Sequence, residues 1–188
     1  DVRAMCKETF ESLDRDTQAA LVLNFYNVWV IEFMSGGDGK PGSILKARVK
    51  GRSIFDAPII RVVWYPRALS LNDLEKRVLK GIVKDPRFHM ALVCGAKSCP
   101  KLRRSLFTGQ QLNEELDAEV QRFLNDPLRN QLDTDPWRLS KIFQWYREDF
   151  GTTDKAIVDW VIAHRRRPSS VPKKLEFLDY DWAPNTQN

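Results

Sequence analysis

Cysteine is scarce in this chain: three in 188 residues, too few for a disulfide scaffold. Cys94 and Cys99 could bridge and would leave Cys6 unpaired, so the count fixes no redox compartment. The first residues carry no signal-peptide pattern, and the abrupt opening at Asp1 reads as that of a mature or excised fragment, truncated at its N-terminus. Long apolar runs are missing too. The longest, residues 19–34, is interrupted by Asn24, Asn27 and Glu32 and is too short and too polar for a transmembrane segment. Charge of one sign is not concentrated. A formal charge of +5 is mild, and specific nucleic-acid binding is not expected. No internal repeat and no second domain appear. The run Gly36-Gly37-Asp38-Gly39-Lys40-Pro41-Gly42 is glycine-rich, but it follows a helical pattern and lacks the G-x-x-x-x-G-K-[ST] order, so it reads as a loop rather than a phosphate cradle.

What is present suits one domain over residues 1–188 with a proper core. Apolar residues make up 43% and charged residues 29%, an ordinary globular balance. Residues 1–13 have helical spacing through Met5, Phe10 and Leu13. Asp14 and Asp16 offer a start for a helix from Thr17 to Met34 that is apolar nearly all round and therefore central. Asn24 and Asn27 share one face of it. Buried amides need partners, so the pair braces a loop or lines a site. Residues 59–65 read as a strand. Ser70 with Asp73 approximates a capping box for a helix whose apolar face is Leu71, Leu74, Val78, Leu79 and Ile82. Glu75 lies beside that face, where a free carboxylate is costly; it must be at a rim or held by a partner. Thr108 with Gln111 marks another cap. Residues 137–150 read as a short strand followed by a helical turn. Thr153 caps a helix through Ala163, closed by His164-Arg165-Arg166-Arg167. Residues 175–182 alternate as a last strand. The fold class expected is α+β: a mostly helical single domain with a central apolar helix and a small mixed or antiparallel sheet.

The most informative stretch is Arg87 to Leu102, RFHMALVCGAKSCPKL. Its short apolar run reads as a buried strand over 88–94. Pro100 suits the first position of a helix, which makes Cys99 its N-cap. A sulfur there faces unpaired N–H groups and the positive helix end, with Lys97, Lys101, Arg103 and Arg104 nearby, and all of these favour thiolate. The bland alternative is that Cys94 and Cys99 are small core hydrophobes. His89 is either a base or a core histidine.

Five segments occur in order that together resemble the family catalogued as domain of unknown function 547: LNFYNVWVI at 23–31, SLNDLEKRVLKG at 70–81, DPRFHMALVCGAKSCPKL at 85–102, LSKIFQWYREDFG at 139–151 and LDYDWAPN at 178–185. The resemblance implies positions to watch: Asn24, Tyr26, Asn27, Glu75, His89, Cys94, Cys99, Lys141, Tyr146, Asp149, Tyr180, Asp181 and Trp182. Relatives carry a histidine after the glutamate of the 70–81 segment, where this chain has Lys76. Bacterial relatives are often exported, which implies a periplasmic or exported setting if this chain is bacterial.

The function expected is thiol-dependent acyl transfer or hydrolysis of a small-molecule or peptide substrate. Cys99 would be the nucleophile and His89 the base, with Glu75 or Asp149 orienting the ring. The residues expected to bind are Asn24, Asn27, Lys141, Tyr146, Asp149 and Tyr180. No metal or cofactor is expected. The alternatives are thiol–disulfide chemistry at Cys94 and Cys99, or a non-catalytic binding module.

Overall fold

Asp14 opens the longest helix. Its carboxylate accepts from the Thr17 N–H at 2.8 Å, the bond that satisfies an otherwise orphaned donor at a helix start. The computed structural model describes residues 3–35, 42–165 and 171–185. In it α1 (Lys7–Ser12) precedes α2 (Arg15–Ser35), which packs against the 70–82 helical segment and α5 (Leu112–Leu124). Ala19, Val22, Leu23, Tyr26 and Val30 are buried along α2, whereas Val28 and Ile31 are exposed at 41% and 39%. The helix is thus central, but its apolar circumference is not wholly covered. A hairpin follows, β1 (Arg48–Val49) against β2 (Arg52–Ser53), turned by Lys50 and Gly51 at positive φ.

The Ser70–Asp73 capping box forms as expected. From it α3 (Leu71–Asp73) continues through a π-helical stretch, Leu74–Leu79, into α4 (Lys80–Ile82). The wider turn carries Glu75 inward, a departure that helical spacing alone does not reveal; π-bulges of this kind concentrate at functional sites. Trp137–Leu139 forms β3, with Trp137 and Leu139 buried and Arg138 exposed. It pairs in parallel with β4 (Leu175–Phe177), Arg138 opposite Glu176. Between them lie α6 (Lys141–Trp145), α7 (Arg147–Phe150) and α8 (Asp154–His164), the last capped by Thr153 as expected. Phe143, Phe150 and Ile157 bind these pieces into one part of the core. The fold is mostly helical α+β.

Several local expectations are corrected. Residues 59–65 form no strand, only an isolated bridge from Ile60 to Leu69. Residues 88–94 form no strand either: Pro86–Met90 is a 3-10 turn, followed by irregular chain. No helix follows Pro100, so Cys99 caps nothing. Thr108 does not cap α5; its N–H donates instead to the Glu115 carboxylate at 2.8 Å. The expected glycine-rich loop at 36–42 lies outside the described residues apart from Gly42, as do Arg166 and Arg167 of the basic run. Among the described residues no helix is long and apolar enough to cross a membrane.

Candidate functional site

Asp85 and Pro86 begin the turn that places His89. The Asp85 carboxylate accepts from the Arg87 N–H at 2.9 Å, and Pro86 brings the fixed φ of a helix start. The Arg87 guanidinium then bridges Asp85 and Asp117 of α5, each at 2.6 Å. The turn is thereby fastened to α5, and His89 is driven inward between Phe88 and Tyr146, with ring centroids 4.1 and 3.9 Å away. The His89 side chain is 3% exposed.

Its two nitrogens face two carboxylates. Nε2 lies 2.9 Å from Oδ2 of Asp149 on α7, and Nδ1 lies 3.9 Å from Oε1 of Glu75. Burial pulls the Asp149 carboxyl up, but hydrogen bonds from Lys80 and His89 outweigh this and hold it below the ordinary range. Asp149 is therefore an acceptor, and Nε2 must carry the proton. Burial lowers His89 to about 4 despite Asp149, so at neutral pH the ring is uncharged and Nδ1 has a free lone pair. Glu75 is the converse case. Burial raises its pKa, and only the Tyr146 hydroxyl, Lys76 and Lys80 offset part of that rise. Oε1 is buried with no hydrogen-bond partner, 3.9 Å from Nδ1 of His89, and burial favours the acid form of this carboxyl.

Glu75, His89, Tyr146, Cys94, Cys99 and Tyr180 line one cavity of about 320 Å³, walled on its apolar side by Phe55, Leu92, Ile142, Trp145 and Trp182. The chain after the histidine turn is shaped by Asn27. Its amide donates to the Ala91 carbonyl at 2.9 Å and accepts from the Val93 N–H at 3.0 Å. Gly95 takes a φ of +82°, open to glycine at little cost, and the chain reverses. The Cys99 N–H donates to the Ala96 carbonyl at 3.1 Å. Arg129 fastens the loop from behind, donating to the carbonyls of Cys99 and Lys97, each at 2.7 Å.

The two thiols differ. The Cys99 sulfur is buried, accepts the Cys94 N–H at 2.7 Å and faces the Leu92 carbonyl. Burial pushes its thiol well up, the reverse of the sequence expectation. With no helix at Pro100, no dipole opposes that. Lys101 is paired with Asp126 and Arg103 with Glu115 and Glu119. Cys94 is partly exposed; the neighbouring Cys99 thiol lowers its pKa, more than offsetting burial, and Tyr180, 3.5 Å away, adds to the lowering.

Of the residues singled out from the sequence, Tyr26, Glu75, His89, Cys94, Cys99, Tyr146, Tyr180 and Trp182 line this cavity, and Asp149 joins them through its hydrogen bond to His89. Asn24 and Asn27 are braces and line no part of this cavity. Asn24 holds Phe107 by both its N–H and its carbonyl at 2.8 Å. Lys141 pairs with exposed Asp179 at 3.3 Å and also lies off the cavity. Sequence reasoning missed Lys80 on Asp149 and the Arg129 clamp, since their partners lie 69 and 30 residues away and no local pattern links them. Among the described residues no cluster of three metal-ligating side chains forms.

A family model described as a protein of unknown function, DUF547, matches residues 10–124. The chain belongs to the DUF547 family. The match includes Glu75, His89 and both site cysteines and ends before Tyr146 and Tyr180, which complete the DUF547 cavity from the C-terminal third, and before Asp149, which holds His89 from outside the cavity lining. Comparison with curated proteins gives no match, and comparison with solved structures gives none.

Proposed function

We propose that the cavity is the active site of a thiol-dependent acyl transferase or hydrolase, with Cys94 as the nucleophile and His89 as the base. The observation that carries this reading is the Asp149–His89 hydrogen bond. A carboxylate fixing one imidazole nitrogen as a donor leaves the other as a proton acceptor aimed inward, the logic of catalytic triads. Neither thiol is hydrogen-bonded to His89, so thiolate formation falls to Cys94, whose surroundings already favour it. The Cys94 thiolate attacks the substrate carbonyl, with Glu75 in the acid form that burial favours as donor to the developing oxyanion. Collapse expels the leaving group, which takes the Glu75 proton. His89 Nδ1 then accepts a proton from water or an acceptor hydroxyl or amine as that group attacks the thioester. Cys94 departs as thiolate. The imidazolium returns its proton to Glu75, its neighbour at 3.9 Å, and the cycle closes.

Short-chain p-nitrophenyl esters test the reading. Wild-type protein should release nitrophenol and carry a transient acyl group on Cys94 by peptide mass. Cys94→Ala should abolish both, and His89→Gln should leave acylation but slow turnover at least ~100-fold, the low end for losing a general base. Equal rates in Cys94→Ala and wild type would overturn it. The burial of Cys99 supports a second reading, a non-catalytic binding module that holds its ligand among Trp145, Tyr180 and Trp182; saturable ligand binding with no turnover would favour that.

A further inference from the structure

The loop from Cys94 to Cys99 holds more than one nucleophile requires. Gly95 reverses the chain, the turn onto Ala96 brings Cys99 back, and the Cys94 N–H rests on the Cys99 sulfur at 2.7 Å. The Cys99 sulfur thus lies against the backbone of the other cysteine, and the two thiols interact directly with each other. The arrangement is locked from several sides. Lys97 and Ser98 donate to the carbonyls of Ala183 and Asp181, Asn185 donates to Gly95, and Arg129 holds Cys99 and Lys97. A loop pre-set in this way gives up little conformational entropy on closing. The two sulfurs are also unequal in access. Cys94 is partly open and lines the cavity, and Cys99 lies beneath it, buried.

We propose that Cys94 and Cys99 form a thiol–disulfide exchange centre, in which Cys94 attacks a low-molecular-weight disulfide and Cys99 resolves the mixed disulfide. In the first step the Cys94 thiolate bonds to one sulfur of the small disulfide and the S–S bond breaks. The departing thiolate takes up the proton that Cys94 has lost. In the second step Cys99 attacks the Cys94 sulfur, expels the second small thiolate and passes its proton to it. Two protein thiols are oxidised and one small disulfide is reduced to two thiols. The unequal pKa values match this order, since the accessible thiol is the more ionised. The activity stands without the acyl-transfer reading. If both hold, oxidation withdraws Cys94 from acyl chemistry until a thiol reduces it.

The probe is oxidised glutathione with the full chain carrying Cys6→Ser, which removes the exposed third thiol. After incubation, iodoacetamide blocking and intact mass should show the loss of two hydrogens and no alkylation, reversed by dithiothreitol. With Cys99→Ser added, a glutathione adduct should accumulate on Cys94; with Cys94→Ser, no adduct should form on native protein. Overturning results are an untouched thiol pair in folded Cys6→Ser protein, or an adduct that forms first on Cys99. The first measurement leaves both site cysteines in place, so a misfolded Cys94 or Cys99 variant does not obscure the answer. No ester is present, so failure here leaves the acyl-transfer test standing, and the reverse also holds.

Discussion

His89 Nε2 and Asp149 Oδ2 lie 2.9 Å apart, although 60 residues separate them. The first sits on a 3-10 turn fastened to α5, the second on a four-residue helix of the C-terminal third. Their bond decides which imidazole nitrogen is available for chemistry, and it ties the histidine turn to α7.

The first prediction follows from that bond and from burial. The imidazole proton of His89 should titrate by NMR with a midpoint near 4, against about 6.5 for a free histidine. The sign is fixed. A buried histidine that resists protonation binds fewer protons folded than unfolded, so stability falls as pH drops from about 6.5 to about 4 and levels below that. Glu75, raised by burial, works in the opposite sense as pH rises above its unfolded value. Asp149→Asn should lower the His89 midpoint further, because it removes the carboxylate that favours the cation. A midpoint near 6.5 in wild type would mean that the ring is solvated.

The thiols should differ in rate. In native protein, timed iodoacetamide labelling with peptide mapping should modify Cys94 well before Cys99. Partial exposure and a lowered pKa act together at Cys94, while burial opposes ionisation at Cys99. Preferential labelling of Cys99 would return the nucleophile to the position favoured by sequence alone.

Packing of α2 gives a third outcome. Leu23 is 1% exposed, and Leu23→Ala should cost about 2–5 kcal/mol in denaturant unfolding. Val28→Ser, on the uncovered face, should stay within about 0.5 kcal/mol. Similar losses at both sites would indicate that the outer face is covered by something in solution.

Asn27→Ala is expected to act beyond its size. It leaves the buried Ala91 carbonyl and Val93 N–H without their partner, at about 1–3 kcal/mol for each unsatisfied group. It should also loosen the chain that leads to Cys94. Urea unfolding would show the loss, and faster amide exchange at Val93 than in wild type would locate it.

Much of the frame is written locally. Asp14, Ser70 and Thr153 mark helix starts because a short polar side chain meets orphaned N–H groups within three residues. The buried–exposed–buried order of Trp137, Arg138 and Leu139 marks a strand because alternate side chains face opposite sides. Glu75 was legible as a carboxylate needing explanation, since it adjoins an apolar face. The five family segments likewise named most residues of the cavity before their contacts were known. What tertiary structure alone decided lies in the same segments. Phe88 to Val93 is apolar and short, and apolarity by itself does not separate a strand from a tight turn buried on all sides; docking of Arg87 on Asp117 settles it as a turn. The π-helical step at Leu74–Leu79 moves Glu75 inward without any residue type that signals it. The ionisation of each site group is likewise a property of its neighbours. Asp149 and Lys80 come to His89 from different elements, Tyr180 comes to Cys94 from 86 residues away, and Cys99 loses the helix that Pro100 suggested. Burial and pairing act through space over a few ångströms, so the residues that carry the chemistry could be named from the sequence, while their charge and order of reactivity had to wait for the fold.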